Sequence, residues 1–399
     1  MKRIVIQWPR LGPYHLARLR ACHRLMGQNG VEMVALETAA QDSVYDWRRE
    51  SGSEAFERVQ VFPDRSFESI GPGEMHRGVV AALDRLDPDA VAIHTYSFPD
   101  SRACVSWCRR HRRGAVVMTD SKADDAPRSA ARERVKRVLL GAYDAAVTAG
   151  SRSSAYLQEL GFPGERIRLG YDVVDNEYFA RRAAAAPRPA GLGRPYFLAS
   201  NRFIARKNLG RLLEAYAGYR DRVDDPWDLV MLGDGPLRAE LEAAAGHGVL
   251  FEGFRQIDEI PGYYAHAEAF VHPALVDQWA LVINEAMACG LPVIASKGAG
   301  ATHDLVQPGR NGFRFAPEDV DGLARSLVTM SLADRAAMRK ASLEIIADWG
   351  TDLFARSMLD AARMAMRAGT RSFPLHQRLL LTGFLLGTRS TTSFHAIES

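Results

Sequence analysis

The stretch His272–Ser296, HPALVDQWALVINEAMACGLPVIAS, decides the fold of the second half of the chain. It follows the apolar residues 269–271, which predict a buried strand. A helical pattern over 280–289 ends at Gly290, and the apolar run 292–295 predicts the next strand. Strand, loop, helix and strand in this order form one βαβ unit of a parallel sheet.

The loop of this unit is predicted to bind an anion. In parallel sheets, ligands lie outside the carboxyl ends of the strands and face helix N-termini. Free N–H groups and the positive end of the helix dipole favour an anion such as a diphosphate there. Asp277 precedes the helix. Glu285 lies within the helix, eight positions after Asp277. Taken alone, Asp277 is equally well explained as an ordinary helix N-cap.

This stretch resembles the E-x7-E signature of retaining GT-B glycosyltransferases, a family that includes bacterial mannosyl- and glucosyltransferases. The family reads E-G-F-G-L-V-x-L-E-A-M-A-C-G, and residues 277–290 read DQWALVINEAMACG. Glu285 is kept, the first Glu is shortened to Asp277, and both loop glycines are replaced. The resemblance implies an α/β protein of the GT-B fold, with two Rossmann-like, doubly wound domains facing each other across a cleft.

The resemblance also implies a donor site for a nucleotide sugar. Arg202 and Lys207 keep the spacing of the family's G-R-x4-K-G motif, whose two cations grip the donor diphosphate; the alternative is two surface cations. Glu285 is implied to hold the ribose hydroxyls and Asp277 to touch the sugar hydroxyls. The other implied donor-site residues are Phe254 and Arg255 over the base, and Gln278, Trp279, Ala280 and Leu281 near the diphosphate.

The first half of the chain resembles the family only loosely. Its opening strand, turn and helix over 14–28 predict a doubly wound start. Gly12 lies in the turn that, in the family, faces the donor diphosphate and the acceptor. His15 is interpreted as a substrate contact or as an exposed or capping residue. His94 ends a predicted strand on the ligand side, where it is either structural or functional.

Asp120 follows the strand predicted at 115–119, where many relatives have a His that contacts the donor sugar. It is a proton acceptor, a sugar ligand or the cap of the helix predicted over 130–140. The resemblance implies front-face transfer with retention, in which the leaving phosphate takes the acceptor's proton. If a protein base is used, Asp120 is the first candidate and His94 the second. No metal is expected, because cations and helix N–H groups supply the positive charge.

Composition bounds the class of protein. The chain has 399 residues and a net charge of +3, so two domains are expected and nucleic acid is not a predicted partner. Its four cysteines are expected to be reduced. The N-terminal MKRIVIQW lacks a signal-peptide core, and no apolar run approaches a membrane span. The predicted location is therefore cytoplasmic.

The domain boundaries are predicted from composition and from the resemblance. Residues 1–170 are expected to form the acceptor-side domain. Residues 171–194 are expected to form a linker, because residues 180–194 are rich in Ala, Arg and Pro. Residues 195–350 are expected to bind the nucleotide sugar. Residues 351–399 are expected to form helices that cross back to the first domain, followed by a flexible tail. Residues 37–73 are predicted to be irregular.

Two segments leave a membrane association open. The basic residues 109–113 are a solvated helix end or a contact for an anionic membrane or a phosphate-bearing acceptor. The apolar segment 375–386 packs on the first domain or on the membrane. Peripheral association with the inner face of the membrane is therefore the alternative to a purely soluble protein. The acceptor, whether a glycan, a lipid-linked molecule or a small molecule, stays open.

The predicted function is a hexosyltransferase that moves a sugar from a nucleotide-diphosphate sugar to an acceptor hydroxyl, with no cofactor beyond the donor substrate. A GT-B nucleotide-sugar epimerase and a catalytically silent nucleotide-sugar-binding protein are the alternatives. A dinucleotide oxidoreductase would need G-x-G-x-x-G after the first strand, and residues 9–13, PRLGP, lack it.

Overall fold

The computed structural model describes residues 1–41 and 54–368. These residues form two compact units. The N-terminal unit comprises residues 1–173 and the described residues from Thr351 onward, and the C-terminal unit comprises residues 174–350. The N-terminal unit is therefore discontinuous in sequence.

Each unit contains one sheet of parallel strands, seven in the first and six in the second among the described residues. The strands of the N-terminal unit are β1 Lys2–Trp8, β2 Val31–Gln41, β3 Glu57–Ser66, β4 Ala90–His94, β5 Gly114–Thr119, β6 Ala145–Thr148 and β7 Ile167–Leu169. The strands of the C-terminal unit are β8 Tyr196–Ser200, β9 Asp228–Leu232, β10 Val249–Gly253, β11 Ala269–His272, β12 Val293–Ser296 and β13 Gly312–Phe315.

Helices connect these strands, as a parallel sheet requires. Those that precede β8 are α1 Pro13–Gln28, α2 Pro72–Leu86, α3 Pro99–His111, α4 Ala130–Leu140, α5 Ser151–Glu159 and α6 Asn176–Ala185. Those that follow it are α7 Leu209–Arg220, α8 Arg238–Ala244, α9 Ile260–His266, α10 Leu281–Ala288, α11 Gly300–Leu305, α12 Val320–Leu332, α13 Arg335–Ile346 and α14 Thr351–Ala368.

The strand order reverses once in each sheet. The first sheet has the order β3-β2-β1-β4-β5-β6-β7, and the second has the order β10-β9-β8-β11-β12-β13. The chain therefore winds outward in both directions from β1 and β4 in one unit, and from β8 and β11 in the other. Ligands of doubly wound sheets bind at such points, outside the carboxyl ends of the strands.

The prediction that residues 37–73 are irregular is wrong for the residues that the structure describes. Strand β2 continues to Gln41, and β3 occupies residues 57–66. Strand β3 contains Pro63. It is the outermost strand of its sheet, and an edge strand tolerates proline because one side of its backbone is unpaired. Residues 42–53 of this segment lie outside the described part of the chain.

The predicted linker 171–194 contains helix α6. The side chain of Asp175 caps it by accepting a hydrogen bond from the Tyr178 N–H at 2.9 Å, and Phe179 is buried. Alanine favours helices, so the Ala-rich composition that suggested a linker also suits a helix once one face is buried. The two units divide between Val173 and Val174.

Helix α14 belongs to the N-terminal unit and packs against α1 and β5. Its residues Phe354, Met358 and Ala362 are buried in the core on that face of the sheet. The helix and tail predicted after residue 368 lie outside the described residues. Among the described helices, none has both the length and the apolar character that a bilayer span requires.

Candidate functional site

The carboxyl ends of β8 and β11 bring two loops together at the switch point of the C-terminal sheet. The loop after β8 runs from Asn201 to Asn208, where α7 begins, and the loop after β11 runs from Pro273 to Ala280, where α10 begins. Asn208 joins them, because its side-chain Nδ2 donates to the Pro273 carbonyl at 3.0 Å. The segment predicted to bind an anion therefore lies at the fold's expected ligand position.

A buried ion pair links the two loops. Lys207 Nζ lies 2.5 Å from Asp277 Oδ2, and the two side chains are only 13% and 12% exposed. His272, fully buried at the end of β11, places Nε2 3.0 Å from the same carboxylate oxygen. The resemblance paired Lys207 with a diphosphate and Asp277 with a sugar, whereas here they contact each other.

Opposing effects set the charges of this cluster. Burial raises the pKa of the Asp277 carboxyl, but Lys207 and His272 outweigh it and hold that pKa well below its usual value. Burial lowers the pKa of His272, and the hydrogen bond to Asp277 opposes this only in part. We therefore assign a neutral imidazole that donates its Nε2–H to a charged Asp277.

Asp277 is not the cap of α10. The N-cap position is Ala280, and no side chain caps this helix. The backbone of Asp277 instead pairs with the loop before α11: its N–H donates to the Gly298 carbonyl at 3.2 Å, and its carbonyl accepts from the Gly300 N–H at 3.1 Å. A Cβ on either glycine would lie about 2 Å from a backbone oxygen of the 273–280 loop, so only glycine allows this approach.

Ala280 adopts φ 83° and ψ 75°, a left-handed conformation that disfavours any residue with a Cβ. It occupies the second position at which the family has glycine. A residue with a Cβ at this position places backbone strain at the start of α10.

The side chain of Trp279 lies in the core, which leaves its backbone for the predicted donor contact. Its side chain is 3% exposed, its indole N–H donates to Asn284 Oδ1 at 2.8 Å, and its ring stacks on Trp349 at 5.4 Å. These contacts fix the 273–280 loop to the core of the C-terminal unit. Gln278, Ala280 and Leu281 lie beside it in the same turn, so their backbone N–H groups remain the candidates for anion binding.

Glu285 is held in a fixed orientation within α10. It is almost fully buried, and its Oε2 accepts a hydrogen bond from the hydroxyl of buried Tyr264 at 2.9 Å. A buried carboxylate with an ordered partner keeps further lone pairs for other donors.

Unsatisfied polar atoms accumulate at this switch point. Both side-chain polar atoms of Asn201, Nε of Arg206 and Nδ1 of His272 are buried without a hydrogen-bond partner among the described residues. Such atoms are rare in folded proteins and require an explanation, and a polar ligand is one. Asn201 and His272 were missed from the sequence, although each directly flanks a predicted site residue or loop. Arg202, half-buried, follows Asn201.

Phe254 and Arg255 lie elsewhere on the sheet, after β10 at its edge. Phe254 is 42% exposed, which suits a surface for a flat ring. Arg255 is engaged internally: its guanidinium donates to Glu252 and to the Tyr263 hydroxyl, each at 2.9 Å.

The predicted residues of the first half lie within the N-terminal unit. Gly12 is the N-cap of α1, and its N–H donates to His15 Nδ1 at 3.0 Å, so His15 is a capping residue. Burial and nearby Arg18 lower the pKa of His15 well below its usual value. His94 ends β4. Asp120 follows β5 and does not cap α4, whose N-cap is Ser129.

The basic end of α3 has internal partners. Arg109 pairs with Asp144 at 2.6 Å, and Arg113 pairs with Asp87 at the same distance. These contacts favour a structural role for the two arginines. Within residues 1–41 and 54–368, no three or more His, Cys, Asp or Glu side chains are grouped so as to hold a metal ion.

Comparison with known proteins identifies the class of the second unit. Residues 194–332 match the family model for glycosyl transferases group 1. The chain is 35% identical over 136 residues to sulfoquinovosyl transferase SQD2 of Arabidopsis thaliana, covering 33% of this chain and 26% of that protein. It is 32% identical over 209 residues to the GDP-mannose-dependent alpha-(1-6)-phosphatidylinositol monomannoside mannosyltransferase of Mycobacterium tuberculosis, covering 48% and 54%.

The whole fold has solved counterparts. Sucrose-phosphate synthase from Thermosynechococcus elongatus superposes with a TM-score of 0.68 over 92% of this chain and all of that one, at 20% identity. Residues 194–332 are therefore a group 1 glycosyltransferase domain, and the two units have the GT-B fold that the sequence predicted. The chain spans about half or less of the length of the two curated relatives named above.

Proposed function

We propose that the protein is a glycosyltransferase that moves a sugar from a nucleotide-diphosphate sugar to an acceptor hydroxyl, with retention of configuration and without a metal. The observation that carries the proposal is Lys207, a cation held by Asp277 at the switch point of a group 1 glycosyltransferase domain. A related protein named for its use of GDP-mannose supports the donor class.

Lys207 keeps binding capacity for a diphosphate. An ammonium group has three N–H donors, and Asp277 uses one of them. Asp277 thus aims the side chain while the remaining donors serve phosphate oxygens, together with Arg202 and the first N–H groups of α10. As the sugar leaves, charge grows on the diphosphate, and each such donor contributes roughly 3 kcal/mol to transition-state stabilisation.

Glu285 supplies the recognition of the nucleotide in this proposal. Its carboxylate is oriented by Tyr264 and can accept two hydrogen bonds from the ribose diol. Phe254 offers its exposed ring to the base. The buried, unsatisfied atoms of Asn201 and the Nδ1 atom of His272 gain partners when a polar ligand fills the site.

A thermal-shift panel of nucleotide diphosphates and their sugars tests the donor site. A ligand at 100 times its Kd stabilises the protein by about 2.7 kcal/mol. We expect one donor to raise the Tm of the wild type and of Lys340→Ala, an exposed lysine on α13 that serves as the control. Lys207→Ala should lose most of this gain, measured against its own ligand-free Tm. No shift with any donor would overturn the proposal.

Turnover separates transfer from its alternatives. With glycan, lipid-linked and small-molecule acceptors, NMR of the anomeric proton reports whether configuration is retained, and EDTA tests the role of a metal. Conversion of the donor without an acceptor would indicate an epimerase. Donor binding without turnover on any acceptor would indicate a silent binding protein.

A further inference from the structure

The switch point of the N-terminal sheet contains a second polar cluster. Trp8 is the last residue of β1, and His94 is the last residue of β4, the strand beside it. Tyr171 follows β7 and reaches the same place. These three side chains are distant in sequence and form a continuous chain of hydrogen bonds.

The direction of each bond follows from its donors. Trp8 Nε1 lies 3.0 Å from the Tyr171 hydroxyl, which in turn lies 2.8 Å from His94 Nδ1. An indole nitrogen only donates, so the tyrosine oxygen accepts from Trp8 and gives its own proton to Nδ1. The opposite arrangement would leave the hydroxyl proton of Tyr171, which is 3% exposed, buried without a partner.

The hydrogen bonds from Trp8 to Tyr171 and from Tyr171 to His94 therefore fix the tautomer of His94. Nδ1 accepts, and the ring proton lies on Nε2. His94 is partly exposed, and its Nε2 has no hydrogen bond to any described residue and is not among the buried unpartnered atoms. This N–H is open to a ligand at the carboxyl end of the sheet.

The surroundings oppose a positive charge on this ring. Burial and the Arg18 guanidinium lower the pKa of His94 to about 4. Arg18 is itself buried, pairs with Asp172 at 3.2 Å and lies over the Tyr171 ring. His15, on the same helix as Arg18, is also kept neutral by burial. The groups that face His94 thus favour a neutral donor.

The backbone holds this residue in place under strain. The His94 carbonyl accepts from Ser101 Oγ at 2.5 Å, and its N–H donates to Gln7 Oε1 at 3.3 Å. The next residue, Thr95, has φ 53°, which is rare for a β-branched side chain. Strained backbone of this kind is concentrated at ligand sites, where the surrounding structure enforces it.

We propose that His94 is a fixed hydrogen-bond donor whose Nε2–H binds a hydroxyl oxygen of the sugar or acceptor substrate, and that Trp8 and Tyr171 are its positioning residues. The assignment of the substrate class rests on the proposed glycosyltransferase function. In this role His94 does not take up a proton, which removes it from the candidates for a general base.

Nitrogen NMR of the ligand-free, full-length protein labelled with 15N-histidine tests the tautomer directly. His94→Gln assigns the signals. We expect a neutral ring with its proton on Nε2 throughout pH 6–8, and a mixture of tautomers in a folded Tyr171→Phe variant. A proton on Nδ1, or an imidazolium at pH 6, would overturn the proposal. This readout needs no turnover, so it stands even if the protein transfers no sugar.

Kinetics test the donor role once an acceptor is found. The amide nitrogen of Gln reaches approximately the position of Nε2 and donates, whereas Asn is too short and Ala has no donor. We expect kcat/KM to stay within about threefold in His94→Gln and to fall about tenfold or more in His94→Asn and His94→Ala. Equal losses in all three variants, with loss of a pH-dependent limb of the wild-type profile, would show that His94 acts as a base.

Discussion

Asp277 shows how one shortened side chain is accommodated in a buried site. Its carboxylate lies within hydrogen-bond distance of both a cation and a neutral imidazole, Lys207 and His272. Together these partners offset the cost of burying a charge. The family's Glu is one carbon longer, so Asp277 reaches less far from the backbone, and here its carboxylate pairs with Lys207.

Asp277→Asn should lower the free energy of unfolding by about 3 kcal/mol, because it leaves the buried charge of Lys207 uncompensated. Urea unfolding followed by circular dichroism at pH 7 measures this loss. The exposed Asp348→Asn should change stability by no more than about 0.5 kcal/mol. The pKa of Asp277 is lower in the folded state, so the difference is present above its usual value of 3.8 and shrinks as the pH falls below it. A loss equal to that of the control would refute the role of the ion pair.

His94 should make the stability of the protein depend on pH. Its pKa is about 4 in the folded state against an ordinary value of 6.5, so between these values the unfolded state binds more protons. The free energy of unfolding must then rise with pH across this window. His94→Gln should reduce that rise by roughly 2 kcal/mol. Denaturation curves at pH 4.5, 5.5 and 6.5 give the free energy of unfolding of the wild type and of the variant. An equal rise with pH in the two proteins would contradict the prediction.

At the scale of elements, the junction between the 273–280 loop and α10 stores strain at one residue. Ala280→Gly should raise the free energy of unfolding by about 1 kcal/mol, because glycine adopts φ 83° without steric conflict. Ala299→Gly is the matched control: Ala299 precedes α11 with φ −90°, so glycine there should destabilise by a similar amount. Thermal unfolding of both variants decides between strain relief and simple loss of a methyl group.

The elements predicted correctly were those with a strong local pattern. The βαβ unit around residues 269–296 has apolar strands, a helical period and a glycine stop, so its three elements lie within one residue of their predicted bounds. Strand β3 and helix α6 were not predicted, because both segments were interpreted as loops. Strand β3 pairs with β2 at the edge of its sheet, and α6 is anchored by the buried Phe179. Local patterns carry no information about such tertiary context.

The site divides in the same way. Lys207 and Asp277 were singled out from motif spacing, and both flank the switch point. Their mutual ion pair was not predictable, because it joins residues 70 positions apart. The hydrogen bond from Trp8 to Tyr171 joins residues 163 positions apart and corresponds to no sequence motif. Contacts of this length become visible only when the strand order is known.

At the scale of the molecule, α14 completes the core of the N-terminal unit. Phe354 is fully buried there and packs near Trp8 and Tyr171. Phe354→Ala should therefore destabilise the protein by about 3–5 kcal/mol, whereas Leu332→Ala, 79% exposed, should be nearly neutral. Urea unfolding measures the loss of stability, and hydrogen exchange shows which of the two units is destabilised. A loss confined to the C-terminal unit would show that α14 does not support the first.

The discontinuity of the N-terminal unit sets an order for folding during synthesis. Its sheet is complete at Val173, but its last described helix emerges only after the 177 residues of the C-terminal unit. At ribosomal speeds of about 5–20 residues per second, this interval lasts roughly 10–35 s. During it, the apolar face that α14 later covers is open to water and to other nascent chains. The second unit is contiguous in sequence, so it can fold as soon as it is synthesised. The N-terminal unit is translated first but is completed last, so we expect it to depend more on chaperones.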